Sequence, residues 1–191
     1  MDMMEFLRTR RTFRKFTQQP VPDTVLDQVV EAARLASATA NRQTLKYIVV
    51  STPGMTAQVQ PHVHWAGYLP PELGCPGPDE TPTAFVAVLQ DERMPGCTDT
   101  DAGLALANMT AAAWAHGVGS CIMGAIDRPA LCALLHVPEG CRLHTMLALG
   151  YPAKSARVVE MKDGNIKYYL DENGDTCVPK RPTAEILLAR L

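Results

Sequence analysis

Five basic residues, Arg8, Arg10, Arg11, Arg14 and Lys15, crowd one short stretch near the N-terminus. Guanidiniums at this density suit three roles: a solvated face, a nucleic-acid arm, or a cradle for an anion. The third is chemically specific. Thr12 and the backbone amides of a turn can complete a phosphate site beside planar, bidentate arginines. A second basic pair, Lys180-Arg181, stands near the other terminus, just before a short predicted helix. In a one-domain chain the two groups could converge on one phosphate. Composition alone leaves the three roles open.

Other candidates are sparse. His62-Val63-His64 sets two imidazoles two residues apart, but no third ligand follows at a telling spacing, so no metal site is expected. His116, His136 and His144 stand alone and read as capping or core histidines. The run Gly117-Val118-Gly119-Ser120-Cys121-Ile122 has isoleucine where a dinucleotide fingerprint needs its third glycine. It also follows a helix and precedes a strand, the reverse of that fingerprint. There is no P-loop, no H-E-x-x-H and no G-x-S-x-G elbow, which counts against hydrolase and nucleoside-triphosphate chemistry. Six cysteines at irregular spacing, with no C-x-x-C, read as scattered free thiols.

The elements that must position these residues follow from pattern. A length of 191 residues, 47% of them hydrophobic and 20% charged, suits one domain over 1–191 with a sizeable core. A net charge of -2 gives no overall drive toward nucleic acid or an anionic membrane. No apolar run approaches the roughly 20 residues of a membrane span, and the N-terminal stretch lacks the apolar core of a signal peptide. The expected location is the cytoplasm. Helices are predicted over 1–9, 22–36, about 55–60, 99–116, 127–135 and from about Thr183. Strands are predicted at Lys46–Ser51, Ala84–Gln90, Cys121–Ile126 and Arg142–Leu149, with a strand pair around Asp163-Gly164 and a further turn at 172–175. Residues 61–82, rich in Pro and Gly, read as a long irregular loop. Helix 99–116 is apolar nearly all round and should be buried on most sides, more than so small a monomer can offer. Strands and helices mix without strict alternation, so the class is α+β, a central, mostly antiparallel sheet flanked by helices.

Taken in order, several of these pieces resemble the nitroreductase family of FMN enzymes. Arg10-Arg11-Thr12-x-Arg14-x-Phe16 and Pro20-Val21-Pro22 are similar to its opening motif. The run Ala32–Gln43 resembles its A-A-R-x-A-P-S-S-x-N-x-Q. Asp101-x-Gly103 with Asn108, and then Gly117–Cys121, resemble its long helix and G-L-G-S turn. Gly150-Tyr151-Pro152 and Pro179-Lys180-Arg181 are similar to its later motifs. The ordered matches cover nearly the whole chain.

The resemblance implies an intertwined homodimer with FMN at the subunit interface and NADH or NADPH as electron donor. Arg10, Arg11, Thr12 and Arg14 would hold the phosphate and ribityl end, with Lys180 and Arg181 closing the pocket. Ser37, Ala38, Thr39 and Asn41 would approach the flavin from the other subunit. Met123, Gly124 and Ala125 would offer backbone to the ring. The flavin would carry the chemistry, which accounts for the lack of a catalytic constellation. The expected acceptor is a small electron-poor molecule, nitroaromatic or quinone, reduced in a ping-pong cycle. Two departures bear on this. Ser37-Ala38-Thr39 stands for Pro-Ser-Ser, and Gln43-Thr44-Leu45 for Gln-Pro-Trp. They keep open an alternative, a protein that stores or consumes its flavin. Within 61–82, near the expected substrate side, Trp65 and Tyr68 are candidates to stack on an acceptor or simply to pack.

Overall fold

The computed structural model describes residues 2–94 and 99–191, so Cys97 lies outside the described residues. Helices are α1 (Met3–Thr9), α2 (Asp23–Arg34), α3 (Pro53–Val59), α4 (Pro71–Gly74), α5 (Asp99–Ala115), α6 (Arg128–Leu134) and α7 (Thr183–Ile186). Strands are β1 (Leu45–Val50), β2 (Ala84–Asp91), β3 (Gly119–Met123), β4 (Cys141–Gly150), β5 (Ala156–Glu160), β6 (Tyr169–Leu170) and β7 (Thr176–Lys180). The class is α+β. β1, β2, β4 and β3 form one sheet in that order, antiparallel throughout.

β2 and β4 are the central strands because their side chains are apolar on both faces. Alternation then builds two cores. Val86, Val88, Leu147 and Leu149 meet Val25, Leu26, Val29 and Ala33 of α2 and Ala105, Leu106, Met109 and Ala113 of α5. Phe85, Ala87, Leu89, Met146 and Ala148 face the other way, against Val59 of α3 and Leu131 of α6. Two helical layers thus sandwich the sheet. α5 is less covered than its composition suggests. Ala102, Ala105, Leu106, Met109 and Ala113 are buried, while Gly103, Leu104, Ala107 and Asn108 remain exposed on the opposite side.

At the end of β2, Arg93 donates Nε to Asp91 Oδ1 at 2.8 Å and Nη2 to Oδ2 at 2.7 Å. This pairing lowers the Asp91 carboxyl from 3.8 to about 2. A depressed native value stabilises the fold above the unfolded pKa, and that contribution disappears as pH falls from about 4 to about 2. Asp91→Asn should therefore narrow the gap between the urea midpoints at pH 7 and pH 2.

Three local expectations need correction. The predicted strand pair around Asp163-Gly164 does not form. β5 instead pairs in parallel with β7, and β6 joins β7 across the turn at 172–175. The strand expected at Cys121–Ile126 starts two residues earlier and ends at Met123. Residues 61–82 are not simply irregular. They include α4, a 3-10 turn at Pro78–Glu80 and a bridge from Val63 to Ile126. Pro71 and Pro78 each open a short turn, where a missing N–H costs nothing. No helix of the described residues is long and apolar enough to cross a membrane.

Candidate functional site

β3 is an edge strand, and the basic N-terminal segment is laid along that edge. Thr12 bridges Ser120 in parallel, and Phe13 N–H donates to Ser120 O at 2.9 Å. Phe16 N–H donates to Glu80 O at 2.9 Å and Thr17 N–H to Tyr151 O at 2.8 Å. Two aromatic anchors hold the segment down. The Phe13 ring stacks on Trp114 of α5 at 5.2 Å, and Phe16 is fully buried. Both need glycine beside them. A Cβ on Gly119 would stand 2.7 Å from Phe13, and one on Gly150 would stand 2.9 Å from Phe16. The Arg-Arg-Thr-x-Arg-x-Phe, Gly-Ser and Gly-Tyr-Pro motifs, distant in sequence, are therefore one packing unit.

The cations on this edge are short of acids. Arg10 Nη1 donates to Thr110 Oγ1 at 2.9 Å, and Arg11 Nη2 donates to Leu7 O. Arg11 Nε is buried without a hydrogen-bond partner. Burial, and then the neighbouring charge of Arg10, lower the Arg11 pKa. The Arg14 guanidinium lies 4.3 Å from the centre of the Tyr168 ring. Lys15 is different, since it pairs with Glu80 at 2.8 Å. Among the described residues no carboxylate pairs with Arg10, Arg11 or Arg14. Such a cluster gains most from a multiply charged anion with several acceptor oxygens.

Gly124 and Ala125 follow β3 and are exposed, with open space around Gly124. Their carbonyls are tied back. Gly124 O accepts from Arg128 Nη2 at 3.2 Å, and Ala125 O accepts from His64 N–H at 3.0 Å. Met123 is buried under them. His62 and His64 thus serve a backbone pairing beside Ile126, and His62 Nδ1 lies 3.8 Å from Asp127 Oδ2. No group of three His, Cys, Asp or Glu residues able to hold a metal occurs among the described residues. Cys121, on the same strand, is an inert thiol, pushed up to about 11 by burial. In the folded protein it should fail to react with a thiol reagent at pH 8 and react only in denaturant.

Other sequence candidates lie elsewhere in the single chain. Thr39 donates both N–H and Oγ1 to Asp101 Oδ1, at 2.9 and 2.8 Å, fixing Ser37, Ala38 and Asn41 at the N-terminal end of α5. Arg10 meets the same helix at Thr110. Nine residues of helix separate the two, roughly 13 Å at 1.5 Å per residue. Ala40, Asn41 and Gln43 have φ of 48°, 52° and 51°, a left-handed turn built without glycine. Lys180 ends β7 opposite Glu160, and Arg181 pairs with Glu185. Trp65 packs against the second core, with its Nε1 buried. Tyr68 is half-exposed and lies 5.1 Å from Tyr168. Tyr168 is the site residue that sequence reasoning missed. In Lys167-Tyr168-Tyr169 nothing marks one tyrosine as the partner of an arginine 154 positions away.

The model of the nitroreductase family matches residues 7–151, which include the Arg10–Arg14 edge, Gly119–Ala125 and Gly150-Tyr151. The chain belongs to the nitroreductase family. A Methanothermobacter thermautotrophicus protein, provisionally named NADH dehydrogenase/NAD(P)H nitroreductase, is 27% identical over 169 residues, covering 85% of this chain and 84% of its own. The FMN reductase [NAD(P)H] of Bacillus subtilis is 26% identical, covering 90% of this chain and 76% of its own. Among solved structures, a provisionally named Desulfovibrio desulfuricans nitroreductase in complex with FMN superposes with a TM-score of 0.69 at 22% identity, over 98% of this chain and 96% of that one. The family match stops before β5, so Tyr168, Lys180 and Arg181 lie outside it.

Proposed function

We propose that this nitroreductase-family chain is an FMN-dependent oxidoreductase that takes electrons from NADH or NADPH and passes them to an electron-poor small molecule of nitroaromatic or quinone type. The observation that carries this reading is the acid-free arginine cluster on the β3 edge. Arg11 has a buried, unpartnered Nε and a charge disfavoured by Arg10. A flavin phosphate there supplies the missing acceptors and the missing negative charge, so the residues present fit the group.

Arg10, Arg11, Thr12 and Arg14 would hold the phosphate and ribityl end. Gly124 and Ala125, exposed at the end of β3, would present backbone to the ring. When bound, FMN supplies hydride transfer. The chain's part is to bind, orient and exclude water. No side-chain nucleophile is required, and Cys121 is too buried to provide one.

The same reading includes a homodimer. Ser37–Asn41 sit at the N-terminal end of α5, and Arg10 meets the same helix nine residues on, at Thr110. Antiparallel pairing of two copies along the exposed Gly103–Leu104–Ala107 side of α5 brings the Thr39 end of one to the Arg10 end of the other. It also covers the apolar surface that the isolated helix leaves open. The test is the visible spectrum of the purified protein, together with its mass in solution. Flavin bands bleached by a reduced nicotinamide, in a particle of two chains, are expected. A colourless protein that gains no flavin absorbance with added FMN would sink the cofactor reading. A monomer that retains FMN would sink the shared site.

A further inference from the structure

A cavity lies beside the arginine edge and is lined in part by the chain beyond the family match. It measures about 180 Å³. Phe13, Leu69, Leu73 and Leu170 line it with apolar surface, and Arg14, Lys15 and Lys154 add cationic groups. Two features give it a chemical preference. First, size: an enclosed apolar cavity of about 150 Å³ accepts one benzene ring, whereas drug-sized ligands need about 300 Å³ or more. The cavity fits one ring. Second, charge: Lys15 is already paired with Glu80, but no carboxylate pairs with Arg14 or Lys154 among the described residues. Lys154 Nζ donates to Asn173 O at 3.3 Å and its charge, after that of Lys15, also acts on the Glu80 carboxylate, while the Arg14 guanidinium is held over the Tyr168 ring. Tyr68 N–H donates to Tyr168 Oη at 3.3 Å, which ties the 61–82 segment to the C-terminal unit at this point.

We infer that this cavity is a binding site for a small monocarboxylate whose apolar body is about one ring, with the carboxylate between Arg14 and Lys154 and the ring against Leu69, Leu73 and Leu170. The site goes beyond the flavin reading and shares only Arg14 with it.

The probe is benzoate, with uncharged benzamide as its match in shape, titrated by calorimetry into the full-length protein supplied with FMN. Benzoate should bind at least about tenfold more tightly than benzamide, the value of a charge-assisted contact. The preference should shrink as salt is raised. Leu73 is half-exposed on a four-residue helix, so Leu73→Trp should fill the cavity without harming the fold and abolish benzoate binding. Lys154→Gln, at an exposed position, should weaken benzoate about two- to fivefold and leave benzamide unchanged. Flavin absorbance should be the same in both variants. Equal binding of benzoate and benzamide, no binding of either, or full benzoate binding by a folded Leu73→Trp variant would overturn the inference. Flavin content is recorded in the same samples. A protein that binds benzoate selectively but takes up no FMN refutes the flavin reading and leaves this site standing.

Discussion

Phe16→Ala should be among the most damaging single substitutions in the chain. The ring is fully buried, and its backbone N–H joins the N-terminal segment to Glu80. Deleting such a side chain costs about 3–5 kcal/mol, a large share of the 5–15 kcal/mol typical of a domain. Gly150→Ala should destabilise by another route. Its Cβ would stand 2.9–3.0 Å from Phe16 atoms, and overpacking of this kind costs about 1–3 kcal/mol. The two sites share one space, so their effects should not add. In the Phe16→Ala background, Gly150→Ala should cost less than it does alone, with a coupling of about 0.5–3 kcal/mol. Urea unfolding of the four proteins in this cycle measures it. Strictly additive losses would mean that the ring and the glycine are not in contact. Because Phe16 anchors the arginine edge, flavin retention should fall along with stability.

That contact also shows what was legible in the sequence. The helices other than α4 and the four strands of the main sheet follow from local periodicity, as with Leu26, Val29 and Ala33 on α2 or the double-sided apolar run of β2. The start of β3 did not, because Gly119 reads locally as part of a turn. It is glycine for a tertiary reason, to admit the Phe13 ring. The parallel pairing of β5 with β7 was hidden for a similar cause. Asp163-Gly164 carries a hairpin signal, yet β5 takes its register from β7, twenty residues on from β5, and no local pattern reports that. The basic motif was visible, but its meaning was not. Arg10 and Arg11 come to lie along the β3 edge, without a carboxylate partner among the described residues, only once Thr12 bridges Ser120. The distance between Thr39 and Arg10 is legible only once α5 is seen to run between them. Tyr168 became visible only when the chain beyond the family match folded back over Arg14.

Arg10→Ala and Arg11→Ala should separate the cost of this edge from its use. In the protein without flavin, Arg11 is held against its own chemistry, since burial and the Arg10 charge both disfavour its charged form. Removing Arg10 lifts that repulsion but forfeits the hydrogen bond to Thr110, worth about 0.5–1.5 kcal/mol, so the stability of the flavin-free chain should change little. Removing Arg11 deletes a buried, unpartnered Nε and should likewise be tolerated. Flavin binding should behave very differently. Each variant loses a charge-assisted contact to phosphate of about 1.5–3 kcal/mol, so FMN affinity should fall about tenfold to a hundredfold. Riboflavin, which has the same ring and ribityl chain but no phosphate, should bind both variants as it binds the parent chain. Arg11→Lys should not restore FMN binding fully, because one ammonium cannot reproduce two parallel N–H donors. The decisive quantity is the ratio of FMN to riboflavin affinity, measured by quenching of flavin fluorescence. A ratio that stays at the parent value in both alanine variants would move the phosphate away from the β3 edge and leave the buried Arg11 Nε unexplained.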